Sequence, residues 1–461
     1  MEKSMQQSAT HGLKSRRNWL GALGLLALGL SGCGGGGGGG DGGDPVPPPV
    51  AKVWLTTWAA APTGPASLTA SAPFVPAITL QNQTVRMIVR GTVAGHKVRI
   101  RLSNEVGDAP VPVRIGAASI GLRDKGHAVV ASTSKALTFD GKKEVTIAAK
   151  SVVYSDPVDL DVPALKDLAI SLYLPDKVTL QSAHFVTRQM NYLSPGNETA
   201  SASLPNTAAP TPYWYVATGV DVQTVKPMAL VAFGDSITDG FGEASLRNDA
   251  PTPWPSWPSR LADRLSAASG LAGLSVLNAG ISGNRVLSDA PNLGPTAEAV
   301  RALGSYGSKG LDRFQRDVLE QRGASCVVIL EGINDIGIGS LEGKPVTSEQ
   351  LITAYKQLIA KAKAGGLKVI GATLLPFAGY SAPYYSDSNN ATREAVNQWI
   401  RTGGAYDGVI DFDAALRDAT NPKQLQPQYD SGDHLHPNDA GYKAMADSVD
   451  LGMLQKLCIK P

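Results

Sequence analysis

The stretch VAFGDSITDG places Ser236 between two aspartates, directly after an apolar run. A serine hydroxyl attacks an ester only when a base removes its proton, so Ser236 would need a histidine. The C-terminal half of the chain contains two, His434 and His436, within DSGDHLHPNDAGY. Asp433 precedes His436 by three residues, close enough to orient the imidazole and to stabilise its cationic form. We therefore expect His436 to be the base, and His434, with Asp430 four residues before it, is the alternative.

Attack on an ester carbonyl creates an oxyanion, which needs hydrogen-bond donors that are already in place. NAGISGN offers the backbone N–H of Gly283, EGIND offers the side-chain amide of Asn334, and the N–H of Ser236 is a third candidate. The alternative is that Gly283 only permits a tight turn and that Asn334 only caps a helix. We interpret Asp235 and Asp239, beside an exposed Ser236, as acceptors that stabilise the turn.

Five short apolar runs in the C-terminal half are separated by helical patterns, which predicts a parallel sheet with helices on both faces. The runs are MALVAFGD, LSVLNAG, CVVILEG, LKVIGATLL and DGVIDFD. Ligands bind beyond the carboxyl ends of the strands in such sheets, and Ser236, Gly283 and Asn334 all lie just past such ends. The longest helical pattern has the spacing of a capping box at Thr347 and Gln350.

Residues 51–227 alternate between apolar and polar side chains with a period of two. In KVRIRLSN, Val98, Ile100 and Leu102 face one side. QTVRMIVR comes just before this run, and the short turn AGH between them predicts a hairpin. Short strands with no long helical pattern between them predict an antiparallel β-sandwich.

The four short motifs together resemble the SGNH, or GDSL, hydrolase family. GDSITDG, ISG, GIND and DHLH carry its serine, glycine, asparagine and aspartate–histidine blocks, in the family's order. The resemblance implies a flavodoxin-like three-layer α/β domain over residues 228–461 and an acyl-enzyme mechanism without a metal or other cofactor. It assigns catalysis to Ser236, Asp433 and His436 and the oxyanion hole to Gly283 and Asn334. TTWAAAP and VRIRLSNEVG upstream resemble the β-domain of a bacterial subgroup with several carbohydrate acetyl esterases.

The first 50 residues have the pattern of an export signal followed by a tether. Lys14, Arg16 and Arg17 precede a short apolar run, and LSGC ends at Cys33, which resembles a bacterial lipobox. We predict a lipoprotein signal peptide over residues 1–33, and the alternative is an ordinary cleaved signal peptide. SRRNWL also resembles a twin-arginine signal. Residues 34–50 are rich in glycine and proline, as in a flexible linker.

Composition and cysteine spacing exclude several other classes. The formal charge of +2 gives no basic surface for nucleic acid, and the motifs G-x-S-x-G and H-E-x-x-H are absent from the sequence. Cys326 and Cys458 lack the paired spacing of a zinc site, but they could form a disulfide in an oxidising compartment.

These patterns predict an exported serine esterase, anchored in a membrane through lipid on Cys33 and facing the periplasm or the cell surface. We expect it to remove short acyl groups, such as acetyl, from polysaccharides. A broader lipase, arylesterase or thioesterase is the alternative among enzymes. A surface-anchored glycan-binding protein, in which the sandwich would bind the sugar, is the alternative of another class.

Overall fold

The structure, a computed structural model, describes residues 52–64, 78–107, 110–185, 187–242, 254–289 and 306–460. The predicted signal peptide, the lipidation at Cys33 and the linker of residues 34–50 lie outside the described residues. Val50–Pro461 forms one compact unit. Within the described ranges, no helix combines the length and the apolar character needed to cross a membrane.

The first part of this unit is built from antiparallel strands. In chain order the strands are β1 (Val53–Ala59), β2 (Ile78–Leu80), β3 (Gln83–Gly91), β4 (Gly95–Ser103), β5 (Val113–Ile115), β6 (Ala117–Leu122), β7 (Lys135–Leu137), β8 (Val145–Ile147), β9 (Val152–Tyr154), β10 (Val158–Val162), β11 (Lys166–Leu174), β12 (Val178–Leu180), β13 (Ala183–Phe185), β14 (Asn191–Pro195), β15 (Ala209–Thr211), β16 (Tyr213–Tyr215) and β17 (Ala217–Thr224). One large sheet has the order β1–β17–β4–β10, with β9 also paired to β4, and the other has the order β15–β14–β3–β11–β6–β7. This antiparallel region confirms the predicted fold class of the N-terminal part.

The predicted alternation in β4 is confirmed, whereas the predicted hairpin between β3 and β4 is wrong. Val98, Ile100 and Leu102 are all fully buried. However, β3 pairs with β11 and β14, while β4 pairs with β17, β10 and β9. The turn between them is instead held by Thr57 of β1, whose backbone carbonyl and hydroxyl accept the N–H groups of Thr92 and Val93. The chain therefore crosses from one sheet to the other at this turn.

The second part is a parallel sheet connected by helices. Its strands are β18 (Met228–Gly234), β19 (Leu274–Gly280), β20 (Ala324–Leu330), β21 (Lys368–Ala372) and β22 (Gly408–Ile410). The helices are α1 (Ser236–Asp239), α2 (Trp257–Ala267), α3 (Gly310–Phe314) continued by a π-helical turn (Gln315–Leu319), α4 (Ile333–Leu341), α5 (Ser348–Ala364), α6 (Asp387–Thr402), α7 (Phe412–Leu416), α8 (Asp439–Ser448) and α9 (Leu451–Cys458). The strand order β19–β18–β20–β21–β22 is the flavodoxin-like order, which confirms the predicted fold class.

Two local predictions in this α/β region can be compared directly with the structure. The capping box of α5 is present, because the Thr347 side chain accepts the N–H of Gln350 while the Gln350 side chain accepts that of Thr347. Cys326 of β20 and Cys458 of α9 form a disulfide across 132 positions of sequence. The pairing that the sequence left open is therefore made, and it joins the C-terminal helix to the centre of the sheet.

The antiparallel region and the α/β region share a polar interface along β19. Ser275 of β19 donates its hydroxyl hydrogen bond to the carbonyl of Thr56, and its oxygen lies 2.9 Å from that of Thr92. Arg90 of β3 forms an ion pair with Asp263 of α2 at 2.8 Å. This contact places the loops of the antiparallel region beside the edge of the parallel sheet.

Candidate active site

Ser236 begins the helical turn α1 at the carboxyl end of the buried strand β18. Asp235 caps this turn by accepting the N–H of Ile237 at 3.0 Å, as the sequence predicted. A side chain at Gly234 would place its Cβ 2.2 Å from the Thr238 hydroxyl, so only glycine lets the turn fold back onto the strand. Ser236 is only 5% exposed. The prediction of an exposed serine is therefore wrong, because the tight turn packs the residue against its neighbours.

The structure brings Ser236, His436 and Asp433 into one hydrogen-bonded chain. Ser236 Oγ lies 2.8 Å from His436 Nε2, and His436 Nδ1 lies 2.6 Å from Asp433 Oδ2. A carboxylate only accepts, so Nδ1 carries the proton and Nε2 is free to accept the serine proton. Burial raises the pKa of Asp433, but the hydrogen bond and charge of His436 outweigh it and hold that pKa well below its usual value. The base is thus oriented and has a permanent counter-charge.

His434, the alternative base, occupies a different environment. Its Nδ1 lies 2.6 Å from Asp430 Oδ2, and its side chain is half exposed. Its backbone is left-handed, with φ of +65°, and Asp430 also accepts its N–H. Among the described residues, the imidazole within hydrogen-bond distance of Ser236 is that of His436. The Asp430–His434 pair instead stabilises the turn that leads into the Asp433–His436 pair.

Gly283 lies just past β19 in a conformation that excludes other residues. Its φ is +79°, and a Cβ there would lie 2.1 Å from the ring of Tyr306. Among the residues that the structure describes, the N–H groups of Gly283 and Ser236 have no hydrogen-bond acceptor. Both N–H groups are therefore available to a ligand oxygen.

Asn334 is the second residue of α4, whose N-cap is Gly332, so the helix-cap alternative does not describe its position. Its Oδ1 accepts from the Tyr384 hydroxyl at 2.9 Å, and its Nδ2 donates to the Asn284 carbonyl at 3.0 Å. Because a carbonyl only accepts, this contact fixes the orientation of the amide. Among the described residues, the second N–H of Nδ2 has no acceptor and remains for a ligand. Tyr384 was missed at the sequence level, since no motif marks it.

Arg313 of α3 is a second residue that sequence reasoning missed. It is 1% exposed, and its guanidinium donates to groups that precede or adjoin all three oxyanion candidates. The acceptors are the carbonyls of Gly234 at 2.8 Å and Ala279 at 2.8 Å, Asn284 Oδ1 at 2.7 Å, Asp317 at 3.2 Å and Glu331 at 3.3 Å. One buried cation therefore joins the ends of β18, β19 and β20.

Three buried carboxyl groups surround the inner side of the site. Burial raises the pKa of Asp235 to about 7 and that of Asp335 to about 6. Burial also raises the pKa of Glu331 well above its ordinary value, although Arg313 opposes the shift. Asp335 of the GIND motif accepts the N–H groups of Val286 and Leu287, which lie shortly after Gly283 in the chain. The asparagine motif thus holds the loop of the glycine motif.

Asp239 does not act as the local turn acceptor that the sequence suggested. Its Oδ1 lies 3.2 Å from Nε2 of His184 in β13, and its Oδ2 accepts from the Ser282 hydroxyl at 2.6 Å. His184 Nδ1 lies 2.9 Å from the carbonyl of Ala61. Burial lowers the pKa of His184, but the charge and hydrogen bond of Asp239 outweigh it and raise that pKa. Because both ring nitrogens of His184 face oxygens that only accept hydrogen bonds, the contacts favour the protonated imidazole beside the serine turn.

Among the described residues, no group of three or more histidine, cysteine, aspartate or glutamate side chains could hold a metal ion.

Residues 232–444 match the model of the GDSL-like lipase/acylhydrolase family. These residues therefore carry a GDSL-like lipase/acylhydrolase domain, and the match covers less than half of the chain. The match lies within the predicted hydrolase domain of residues 228–461. No curated protein sequence matches the chain.

Several solved structures are similar to the chain at low identity. A lipolytic protein of the G-D-S-L family from Desulfitobacterium hafniense is 23% identical, with a TM-score of 0.33, over 48% of this chain and 97% of its own. A GDSL-like lipase from Bacteroides thetaiotaomicron is 21% identical, with a TM-score of 0.33, over 50% and 89%. An acetylxylan esterase from Geobacillus stearothermophilus is 21% identical, with a TM-score of 0.34, over 50% and 95%.

Proposed function

We propose that the protein is a serine esterase that hydrolyses carboxylic esters through an acyl-enzyme. The observation that carries the proposal is the hydrogen-bonded chain from Ser236 through His436 to Asp433, set beside N–H groups that a ligand oxygen can reach. The three residues lie within the segment that matches the acylhydrolase family model, which agrees with this chemistry.

In the proposed reaction the same groups act in two steps, first in the formation of the acyl-enzyme and then in its hydrolysis. Ser236 Oγ attacks the ester carbonyl while His436 Nε2 takes the serine proton. The N–H groups of Gly283 and Ser236 and the free N–H of Asn334 stabilise the oxyanion. His436 then protonates the departing alcohol, and an acyl group remains on Ser236. Water attacks this ester with His436 as base, which releases the acid and restores the serine.

Replacement of the nucleophile tests the proposal. Ser236→Ala should lower kcat for p-nitrophenyl acetate by about 10⁴-fold or more, because only binding and the oxyanion donors remain. Ser266→Ala is the matched control, since Ser266 lies on α2 and its hydroxyl donates to the carbonyl of Asp263 in the same helix. Full activity in Ser236→Ala would overturn the proposal.

The two histidines allow a second test of the assignment. His436→Asn should reduce kcat by about 10⁴-fold or more, because Ser236 loses its base. His434→Asn should keep most of the activity, since its partner Asp430 belongs to the neighbouring turn. A greater loss in His434→Asn than in His436→Asn would assign the base to His434.

We propose short acyl groups, such as acetyl on a polysaccharide, as the substrate. Tyr306 packs on Gly283 and Tyr384 bonds Asn334, and bulky rings beside two proposed oxyanion donors favour a small acyl group. The rate should fall beyond about four carbons in a p-nitrophenyl ester series if the acyl pocket is small. Release of acetate from acetylated polymers, with a triacylglycerol control, tests the polymer. Faster hydrolysis of long chains or thioesters would favour the broader lipase, arylesterase or thioesterase. Glycan binding without ester hydrolysis would favour a binding protein.

We also propose that the enzyme is exported and anchored through lipid on Cys33. The basic and apolar pattern before Cys33 supports this, and so does the disulfide of Cys326 and Cys458, since such bonds persist in oxidising compartments. Labelled palmitate should enter the wild-type protein in bacteria and should not enter Cys33→Ser. Equal labelling of both would contradict lipidation at Cys33.

A further inference from the structure

Arg188 brings a buried positive charge from the antiparallel region to the edge of the candidate site. It lies after β13 in the chain and is 6% exposed. Its Nη2 donates to Ser282 Oγ at 3.0 Å, and its guanidinium lies 4.4 Å from the ring centre of Phe241. Ser282 directly precedes Gly283, and the ring of Phe241 lies 4.6 Å from the imidazole of His436. Arg188 therefore touches the immediate neighbours of two groups that the proposed reaction uses.

Ser282 is held from both sides by partners of opposite charge. Its hydroxyl accepts from Arg188 and donates to Asp239 at 2.6 Å, and its N–H donates to the same carboxylate at 3.2 Å. Asp239 ends the helical turn that Ser236 begins, and His184 binds its other oxygen. These contacts fix the loop of Gly283 relative to the turn of Ser236.

The backbone conformation of Arg188 and the burial of its guanidinium are both energetically unfavourable. Its backbone is left-handed, with φ of +58°, which is costly for a residue other than glycine. Among the described residues, its Nε and Nη1 have no hydrogen-bond partner although they are buried, and burial lowers the pKa of Arg188 although Asp239 opposes the shift. Unpaired buried donors destabilise a fold, so fold stability does not account for an arginine here. Strained residues of this kind cluster at functional sites.

We propose that Arg188 is a positioning residue through which the antiparallel region completes the active site. Its bond to Ser282 sets the N–H of Gly283 at the distance from Ser236 that the oxyanion requires. Its contact with Phe241 holds the ring that packs against His436. The inference rests on the proposed esterase function and gives the antiparallel region a role in it.

The test compares Arg188→Met with Arg90→Met by kcat and KM for p-nitrophenyl acetate. Arg188→Met should lower kcat about 10- to 100-fold with little change in KM, because a displacement of about 1 Å in a catalytic group can cost that much. Arg90→Met is the matched control, since Arg90 pairs with Asp263 across the same interface and, among the described residues, makes no hydrogen bond or ion pair with the serine turn or the loop of Gly283. It should keep kcat within about twofold. Arg188→Lys, which keeps the cation but loses the planar fork, should recover part of the rate.

A double-mutant cycle separates positioning from general destabilisation. If Arg188 acts through Ser282, Arg188→Met should lower kcat by less than about threefold in a Ser282→Ala background. Should Arg188→Met fail to fold, Ser282→Ala alone is expected to lower kcat about 10-fold at unchanged KM, and an unchanged kcat would refute the role.

Three results would overturn the inference. They are an unchanged kcat in folded Arg188→Met, an equal loss in Arg90→Met, and effects of Arg188→Met and Ser282→Ala that multiply fully. If Ser236→Ala is inactive in the same assay, the esterase proposal survives any of them. A fully active Ser236→Ala would overturn both proposals.

Discussion

Two fully buried arginines, one in each region of the molecule, show how the same side chain serves different ends. Arg86 of β3 is 0% exposed and donates to Ser171 Oγ and to four backbone carbonyls. Those carbonyls belong to His127, Glu198, Ser201 and Ala202. Arg313 donates to two carbonyls, one amide oxygen and two carboxylates. The first arginine ties loops to a sheet, and the second ties strand ends to each other.

The two arginines differ in the charge of their partners and in the location of those partners along the chain. Burial lowers the pKa of Arg86 to about 10, although Glu198 opposes the shift, because most of its partners are uncharged. Arg313 has Asp317 and Glu331 as counter-charges. The carbonyls that bind Arg313 end the strands that lead to Ser236 and Gly283. A buried arginine thus stabilises the fold in one region and sets the site geometry in the other.

Of the substitutions that test this comparison, Arg313→Met should have the largest effect. It leaves Glu331 without the cation that pairs with it and removes one hydrogen bond each from Asp317 and from the carbonyls of Gly234 and Ala279, which should destabilise the fold by about 3–5 kcal/mol. It should also lower kcat by about 10²-fold or more, because the oxyanion donors lose their common support. Urea unfolding measures the first effect, and kcat normalised to serine titrated with a fluorophosphonate measures the second. A normal kcat in the folded variant would remove Arg313 from the site.

Arg86→Met is the counterpart that sharpens this comparison. The substitution removes the guanidinium from four carbonyls, of which those of Ala202 and Glu198 still accept the N–H groups of Val129 and Ser201. The loss should lower the free energy of unfolding by about 3 kcal/mol, since unsatisfied buried acceptors are costly. The kcat per titrated serine should stay within about twofold of the wild-type value, because these loops do not contact the site. A fall in kcat as large as that of Arg313→Met would show that the two arginines do not differ in role.

Removal of the disulfide tests how much this bond stabilises the α/β region. Cys326→Ala with Cys458→Ala should lower the free energy of unfolding by about 2–5 kcal/mol, as expected for a bond that closes a loop of this length. The kcat at 25 °C should change little. Urea unfolding of the wild type with and without reductant provides the control. Equal stability of oxidised and reduced protein would contradict the prediction.

The smallest expected effect concerns the buried pair of His184 and Asp239, and it depends on pH. The pKa of His184 is raised, so its contribution is full below about 6.5, its ordinary value, and is lost as pH rises through the raised value. Burial raises the pKa of Asp239, but His184 outweighs it and lowers that pKa, so this contribution is lost in acid. His184→Gln should therefore cost most between about pH 4 and 6.5, by about 1–2 kcal/mol.

Thermal unfolding of wild type and His184→Gln across pH 4–9 measures that difference. The two curves should approach each other as the pH rises through the raised pKa of His184, because the imidazole then loses its proton. A constant difference across the whole range would show that His184 is neutral and that the pair carries no charge.

The residues of the candidate site could be located in the sequence because they sit at strand ends and within contiguous motifs. The apolar runs predict the parallel strands, and the residue that follows each run can be read directly from the sequence. The fold class was predictable from the alternation of runs and helical patterns in the same way.

Long-range partners were not predictable in this way. Arg313 lies in a short charged segment without a motif, and its acceptors come from three separate strands. In the sequence His184 looks like any other strand residue, because its partner Asp239 lies in the other region of the chain. The predicted hairpin of β3 and β4 was wrong for the same reason. A period of two in the sequence indicates a strand, but it does not indicate which other strand it pairs with.

The bond between Cys326 and Cys458 encloses Asn334, Asp433 and His436 in one covalent ring, while Ser236 and Gly283 precede it. A protease that cuts once inside this ring would leave both fragments attached, with the base still joined to β20. β20 also pairs with β18, the strand that leads to Ser236. A molecule cut once within the ring would therefore keep Ser236, Asp433 and His436 linked to each other. The ring would thus keep the proposed base and the proposed nucleophile in one covalent molecule after a single proteolytic cut within it.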